Sequence, residues 1–108
     1  MSEPLWHLYI LDCDGSALYT GISTDPQRRL LEHRQADPGA AKFTRRHRRL
    51  ALVYSVPVGS RSLALKLEKR LKSLSRQRKQ AIIEAGPSLP VLLKTLGLDE
   101  NGSTAEQD

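Results

Sequence analysis

A hairpin pattern near the amino terminus constrains the fold more than any other feature of the sequence. Trp6 to Leu11 is a short apolar and aromatic run, Asp14-Gly15-Ser16 follows as a turn, and Ala17 to Ile22 returns as a second short run. Two runs of strand length on either side of a glycine-containing turn predict an antiparallel β-hairpin. A small sheet is therefore the expected start of the fold.

A helix and a third strand are predicted after the hairpin. The helix begins at Pro26, where a proline in the first turn loses no hydrogen bond, and it ends near Arg34. The run from Leu50 to Val56 is apolar and rich in residues that favour strands. We expect it to form a central third strand that ends at Pro57.

The second half of the sequence predicts helices. Four leucines recur at spacings of four, four and three, which is the period of a buried helix face. The predicted elements are a helix opened by Ser60 or Ser62 that carries Leu63, Leu67, Leu71 and Leu74, a helix from Arg76 to Ala85, and a short helix from Leu89 to Leu96.

The element order β-β-α-β-α-α predicts a small α+β fold, a three-stranded and mainly antiparallel sheet flanked by helices. The chain has 108 residues, which is room for one domain. We expect that domain to occupy residues 1–97. Residues 98–108 have almost nothing to bury and are expected to form a disordered tail.

Several protein classes are disfavoured by the sequence. Cys13 is the single cysteine, so neither an internal disulfide nor a cysteine-based zinc site is possible. The apolar runs are a few residues long, far short of the roughly 20 that a membrane helix needs. The amino terminus also lacks the pattern of a signal peptide. These features predict a cytoplasmic protein that does not bind membranes.

The charges of the chain are unevenly distributed. Arg28 to Lys79 contains 16 basic residues and three acids, a net charge of +13, while the remainder carries −8. Arginine outnumbers lysine 11 to five in that segment, and its planar guanidinium suits phosphate. This pattern favours a nucleic-acid binder over the alternative of a solvated cationic surface.

Polar residues of the hairpin and the first helix can converge on one patch. Tyr9 and Tyr19 lie ten residues apart around the turn, so we expect them roughly opposite each other on one face. Gly21 leaves room for the close approach of a backbone or a phosphate. Arg29 and His33 are four residues apart and share one face of the predicted helix.

A single carboxylate completes the set, because Glu68 is the only acid between Gly39 and Ala81. Two phenols, a guanidinium, an imidazole and a carboxylate are the parts that phosphodiester hydrolysis needs. One carboxylate suits Mg²⁺, which keeps several of its waters when bound. Each residue also has a structural interpretation: the tyrosines could pack in the sheet, and Glu68 could pair with Lys72, with Arg61 or with Lys69.

The order and spacing of these residues resemble the GIY-YIG endonuclease superfamily. Its two half-motifs stand here as His7-Leu8-Tyr9 and Tyr19-Thr20-Gly21, so the first keeps only its tyrosine. Arg29, His33 and Glu68 follow in the family order. Over most of its length the chain looks like the small single-domain members of this superfamily that form an uncharacterised protein family.

The resemblance implies one-metal hydrolysis of a nucleic-acid phosphodiester. The short basic channel without a second recognition domain favours DNA, single-stranded or branched, and we expect DNA repair or processing as the setting. Glu68 would hold one Mg²⁺ or Mn²⁺, Arg29 would clamp the phosphoryl oxygens, and Tyr19 would orient the water or the phosphate. Either Tyr9 or His33 would accept the proton of the attacking water. Tyr9 would need nearby cations to lower its pKa from about 10.

A basic loop is expected to track the nucleic-acid backbone. Phe43 could stack on an unpaired base or pack in the core, and it stands where close relatives carry tyrosine. The late asparagine of some larger relatives has no counterpart, since Asn101 lies in the predicted tail. The predicted nucleic-acid-binding residues are Gly21, Lys42, Phe43, Arg45, Arg46, Arg48, Arg49, Arg76 and Lys79.

Two other functions fit the same charges. A catalytically silent nucleic-acid-binding module would keep the fold and the basic residues without turnover. A basic adaptor for an acidic protein would dispense with Tyr9, Tyr19 and Glu68. The expected assembly is a monomer or a weak homodimer.

Overall fold

A computed structural model describes residues 3–35 and 49–104, and its elements follow the predicted order β-β-α-β-α-α with the short last helix added as a seventh element. They are β1 (Trp6–Cys13), β2 (Ala17–Ser23), α1 (Pro26–Arg34), β3 (Leu50–Gly59), α2 (Arg61–Lys72), α3 (Arg76–Ala85) and α4 (Leu89–Thr95). Both strand pairs are antiparallel, which confirms the α+β class with a three-stranded antiparallel sheet. Within the described ranges no helix is long and apolar enough to span a membrane.

The strand order is β2-β1-β3, so β1 is the central strand. The prediction that β3 is central is wrong, and so is its predicted end at Pro57, because the strand continues to Gly59. Pro57 pairs with His7 on β1. An edge strand tolerates this proline because the missing N–H can lie on the side without a partner strand.

Alternate residues of β1 face two different layers. Leu8 and Ile10 belong to the larger apolar core, which α2, α3 and α4 complete. Tyr9 and Leu11 belong to a smaller core on the other face, where Leu30 of α1 is buried. Because side chains alternate along a strand, this placement puts Tyr9 on the α1 side of the sheet.

Helix ends are set by local capping residues. Asp25 caps α1 by accepting from the N–H of Arg28 at 3.1 Å. Ser60 caps α2 and Ser75 caps α3 in the same way. Gly86 ends α3 in the left-handed conformation, with φ of 56°, which glycine adopts without steric cost. The predicted bounds of α1 and α3 are therefore confirmed.

Residues 98–104 do not form the disordered tail that the composition predicts. Leu98 pairs with Thr104 in a short bridge and packs against the larger core. Asp99 accepts a hydrogen bond from the N–H of Asn101 at 2.9 Å. Lys66 of α2 donates to the carbonyl of Asn101 at 3.2 Å. A polar segment is thus ordered by hydrogen bonds, which composition alone does not show.

Candidate active site

Tyr9 and Tyr19 share one face of the hairpin, but they are diagonal neighbours and not cross-strand partners. Tyr9 pairs with Gly21, and Tyr19 pairs with Leu11. The two rings lie 6.4 Å apart between centroids and are tilted by 43°. The turn is centred on Gly15, whereas direct pairing of the two tyrosines would require a turn centred one residue earlier. A glycine therefore faces Tyr9.

Gly21 is required by the position of the Tyr9 ring. A Cβ built on Gly21 would lie 2.6 Å from Tyr9 Oη and 2.8 Å from Tyr9 Cζ. The same Cβ would lie 3.1 Å from Cε1 of Tyr19. The first two distances are shorter than real Cβ atoms tolerate. The glycine of the second half-motif therefore makes room for the tyrosine of the first. Its predicted contact with nucleic acid stays a prediction.

Tyr9 and His33 form a buried pair beneath this patch. Each is only 1% exposed, and Tyr9 Oη lies 3.3 Å from His33 Nε2. Tyr19 meets the imidazole edge-on, with centroids 5.3 Å apart. Burial lowers the pKa of His33, and the nearby charge of Arg29 lowers it further. His33 is therefore neutral at pH 7 and can exchange a proton with Tyr9.

The pKa of Tyr9 is raised, contrary to the expectation that cations lower it. Burial is the main cause, and the proximity of Tyr19 adds to it. Arg29 acts in the opposite direction through its charge and a hydrogen bond to Tyr9, but the effect of burial is larger. Burial also raises the pKa of Tyr19. Both phenols are therefore protonated at neutral pH.

Arg29 is held between two partners. Its Nη1 donates to Oε1 of Glu32 at 2.9 Å, and its side chain also hydrogen-bonds to Tyr9. Glu32 lies three positions after Arg29, so both side chains lie on one face of α1. The sequence interpretation missed Glu32 as part of the site. Its i, i+3 spacing to Arg29 was the signal that could have revealed it.

Glu68 on α2 is close enough for its charge to raise the pKa of both Tyr9 and Tyr19. Its carboxylate also forms an ion pair with Lys72, with Oε2 and Nζ 3.5 Å apart, and its side chain is 19% exposed. Glu68 can therefore pair with Lys72 and belong to the candidate site at the same time. No cluster of three or more metal-ligating side chains is found in the described parts of the chain. This donor set fits an ion that takes one carboxylate and keeps its waters, as Mg²⁺ does.

The structure thus brings the five predicted catalytic residues into one neighbourhood. Tyr9 and His33 form its buried floor, whereas Tyr19, Arg29 and Glu68 are partly exposed. A ligand arriving from solvent would first meet a phenol, a guanidinium and a carboxylate. A positioned guanidinium beside proton-exchanging groups can stabilise the growing charge of a phosphoryl transition state.

The predicted basic contacts fall into two groups. Lys42, Phe43, Arg45, Arg46 and Arg48 lie outside the described residues. Arg49 is exposed, and its backbone N–H and carbonyl both bond to Asp14 in the hairpin turn.

Two further predicted contacts lie on α3. Arg76 donates to the carbonyls of Gly15 and Ser16, so its guanidinium ties α3 to the turn. Lys79 lines a groove beside Tyr19. Of these two, Lys79 is therefore the side chain that faces the candidate site.

Comparison with known proteins identifies a family whose model matches most of this chain. The family model of the GIY-YIG catalytic domain matches residues 5–81. The chain belongs to the GIY-YIG family. A UPF0213 protein of Yersinia enterocolitica is 48% identical over 99 residues, covering 92% of this chain and 100% of that protein. A UPF0213 protein of Yersinia pestis (strain Pestoides F) is 50% identical over 99 residues, covering 92% and 99%.

A solved structure is also similar to this GIY-YIG chain. It is the solution NMR structure of a UPF0213 protein from Bacillus halodurans, with a TM-score of 0.49 and 29% identity, covering 88% of this chain and 99% of that one. The family match confirms the resemblance inferred from the residue spacing. It places the chain in a nuclease superfamily.

The first GIY-YIG half-motif departs from the family at His7. This residue stands where the name of the motif has glycine, and it pairs with Ser23 on β2. Its Nδ1 is buried without a hydrogen-bond partner among the residues that the structure describes. The sheet therefore accommodates a side chain larger than glycine at this position of β1.

Proposed function

We propose that this chain is a metal-dependent endonuclease that hydrolyses phosphodiester bonds of DNA, with single-stranded or branched substrates favoured. One observation carries the proposal. Arg29, fixed by Glu32 and by Tyr9, stands with Glu68 around the buried pair of Tyr9 and His33. A simple packing role for the tyrosines would not call for a guanidinium and a carboxylate beside them.

The proton path follows from burial and protonation states. Tyr9 is protonated, and the neutral His33 lies 3.3 Å from its hydroxyl. Tyr9 Oη therefore takes a proton from the attacking water as it passes its own proton to Nε2 of His33. The hydroxide bonds to phosphorus, the bond from phosphorus to the 3′-oxygen breaks, and that oxygen takes a proton from solvent. His33 is thus the final acceptor, and Tyr9 is the relay.

The charged side chains act on the phosphate. Arg29 neutralises the charge that grows on the non-bridging oxygens, and Tyr19 orients the phosphate or the water. Glu68 would hold one Mg²⁺ or Mn²⁺, since these ions need few protein ligands when waters and phosphate oxygens complete the shell. When bound, the ion supplies positive charge to the phosphate and the leaving oxygen.

Cleavage assays on a matched pair of variants test the proposal. Glu68→Gln removes the carboxylate of the site, and Glu84→Gln makes the same change at an exposed position of α3. Both proteins and the wild type are incubated with labelled single-stranded, duplex and branched DNA and with RNA. Each reaction contains Mg²⁺, Mn²⁺ or EDTA. We expect metal-dependent cleavage by the wild type and by Glu84→Gln, and none by Glu68→Gln.

Other outcomes contradict the proposal in distinct ways. DNA binding without cleavage in any condition would identify a silent binding module of the same fold. Equal cleavage by wild type and Glu68→Gln would remove Glu68 from the mechanism. The absence of any DNA binding would favour the adaptor for an acidic protein.

A further inference from the structure

A groove along the outer edge of β2 adjoins the candidate active site. It is lined by Leu18, Tyr19, Thr20, Lys72 and Lys79. In the part of the chain that the structure describes β2 is an edge strand, so the groove runs beside backbone groups that have no partner strand there. Tyr19 belongs both to this groove and to the site, and a strand of nucleic acid could therefore pass from one to the other.

The groove is positively charged and draws on two helices. Lys72 comes from α2 and Lys79 from α3. Lys72 pairs with Glu68 at 3.5 Å and remains 52% exposed. Lys79 is half-buried, and no carboxylate of the described residues lies within ion-pair distance of it. An ammonium group brought close to the sheet without a counter-ion favours an anionic ligand.

Thr20 supplies the second, independent observation. The residue is 3% exposed, and its buried Oγ1 has no hydrogen-bond partner among the described residues. A buried hydroxyl without a partner destabilises the folded state, and such groups are rare in native proteins. Thr20 lines the groove, so an oxygen acceptor seated there would satisfy the hydroxyl once a neighbouring side chain moves aside to expose it. The hydroxyl would then donate to that ligand.

We propose that this groove binds a phosphodiester group of the nucleic-acid strand next to the scissile one, through Thr20 Oγ1, Lys79 and Lys72. The inference rests on the proposed function, because it assigns a second contact to the same bound strand. The continuity through Tyr19 favours a nucleic-acid strand over a free anion. It also predicts that substrates with a phosphate beyond the scissile position bind better than those without one.

Thr20→Val is the decisive variant, because it removes the hydroxyl and keeps the shape of the side chain. A purely structural Thr20 predicts unchanged or higher thermal stability and unchanged DNA binding. The proposal predicts unchanged or higher stability together with binding to single-stranded DNA weakened roughly 10-fold, as expected for a hydrogen bond to a charged group. The effect should fall on KM and leave kcat nearly unchanged.

Salt dependence provides the second readout. Lys79→Gln is expected to reduce the slope of log K against log salt by about 0.7 for single-stranded DNA, the value for one lost phosphate contact. Lys94→Gln on α4 is the matched control and should keep the wild-type slope. Lys72→Gln is a less specific test than these two variants, because Lys72 also forms an ion pair with Glu68.

The outcomes separate the two proposals. If the wild type cleaves DNA but Thr20→Val and Lys79→Gln bind with wild-type affinity and slope, the groove proposal is overturned and the proposed function stands. If the wild type neither binds nor cleaves DNA, both are overturned. Should Thr20→Val fail to fold, the slope of Lys79→Gln against that of Lys94→Gln decides the question.

Discussion

Replacing Gly21 by alanine tests whether the ring of Tyr9 is fixed against β2. The added methyl would lie 2.6 Å from Tyr9 Oη and 2.8 Å from Cζ. The ring cannot swing away freely, because Tyr9 is 1% exposed and bonded to His33 and Arg29. Either the ring or the strand must therefore move.

The sign of the change in the free energy of unfolding shows which of two opposing effects is larger at Gly21. A glycine replaced by alanine in a compatible backbone stabilises a protein by about 0.4–1 kcal/mol. Overpacking a well-filled core costs about 1–3 kcal/mol. At Gly21 the second effect should exceed the first, and we expect a net loss of about 1–2 kcal/mol in the free energy of unfolding. For a chain of this size that lowers the melting temperature by about 5–10 °C.

Urea unfolding followed by circular dichroism measures this loss, and a double-mutant cycle assigns its cause. Tyr9→Phe removes Oη, the nearest clashing atom, and leaves Cζ in place. Gly21→Ala should therefore cost less in the Tyr9→Phe background than in the wild type. Cleavage by Gly21→Ala should fall about 10²-fold, as expected for a displacement near 1 Å of a catalytic group. A Gly21→Ala protein that is as stable and as active as the wild type would refute this account.

Further predictions concern the neighbours of the site. Arg29→Lys should lower kcat about 10²-fold. Glu32→Gln should lower kcat less, because Glu32 acts only by positioning Arg29. Equal losses of the two variants in single-turnover cleavage would contradict this. Burial lowers the pKa of His33 from 6.5, so activity should hold as pH falls to 6.5 and decline below it, with stability falling over the same window. If the pH–rate profile of His33→Gln still shows the decline at acid pH, His33 is not the cause of that decline. Arg76→Ala should lower the free energy of unfolding by about 1 kcal/mol without changing the salt dependence of DNA binding.

The local parts of the fold were predictable from the sequence. Asp25, Ser60 and Ser75 cap helices by bonding to an N–H three residues later, and Gly86 ends α3 in a left-handed conformation. These interactions lie within one helical turn, so the sequence states them directly. The pairing of Arg29 with Glu32 is equally local, although the interpretation of the sequence missed it.

The long-range parts were not predictable in this way. The strand order depends on which strand pairs with the second edge of β1, and the two strands are far apart in sequence. The apolar run that starts at Leu50 therefore suggested a central strand, although β3 lies at the edge and continues through Pro57. The register of the hairpin depends on one position in the turn, and a shift of that position moves each cross-strand partner. Residues 98–104 contact Lys66, more than thirty residues earlier, and the larger core through Leu98.

The sequence by itself determined the types and order of the elements, the bounds of α1 and α3, the basic character of the middle of the chain and the set of residues shared with the GIY-YIG family. The tertiary structure decided that Tyr9 lies over Gly21 and that His33 is buried and neutral. It also decided that Glu68 reaches the same tyrosines from α2. Burial and packing between distant segments set these properties, because desolvation and close contact exist only once the layers of the fold have come together.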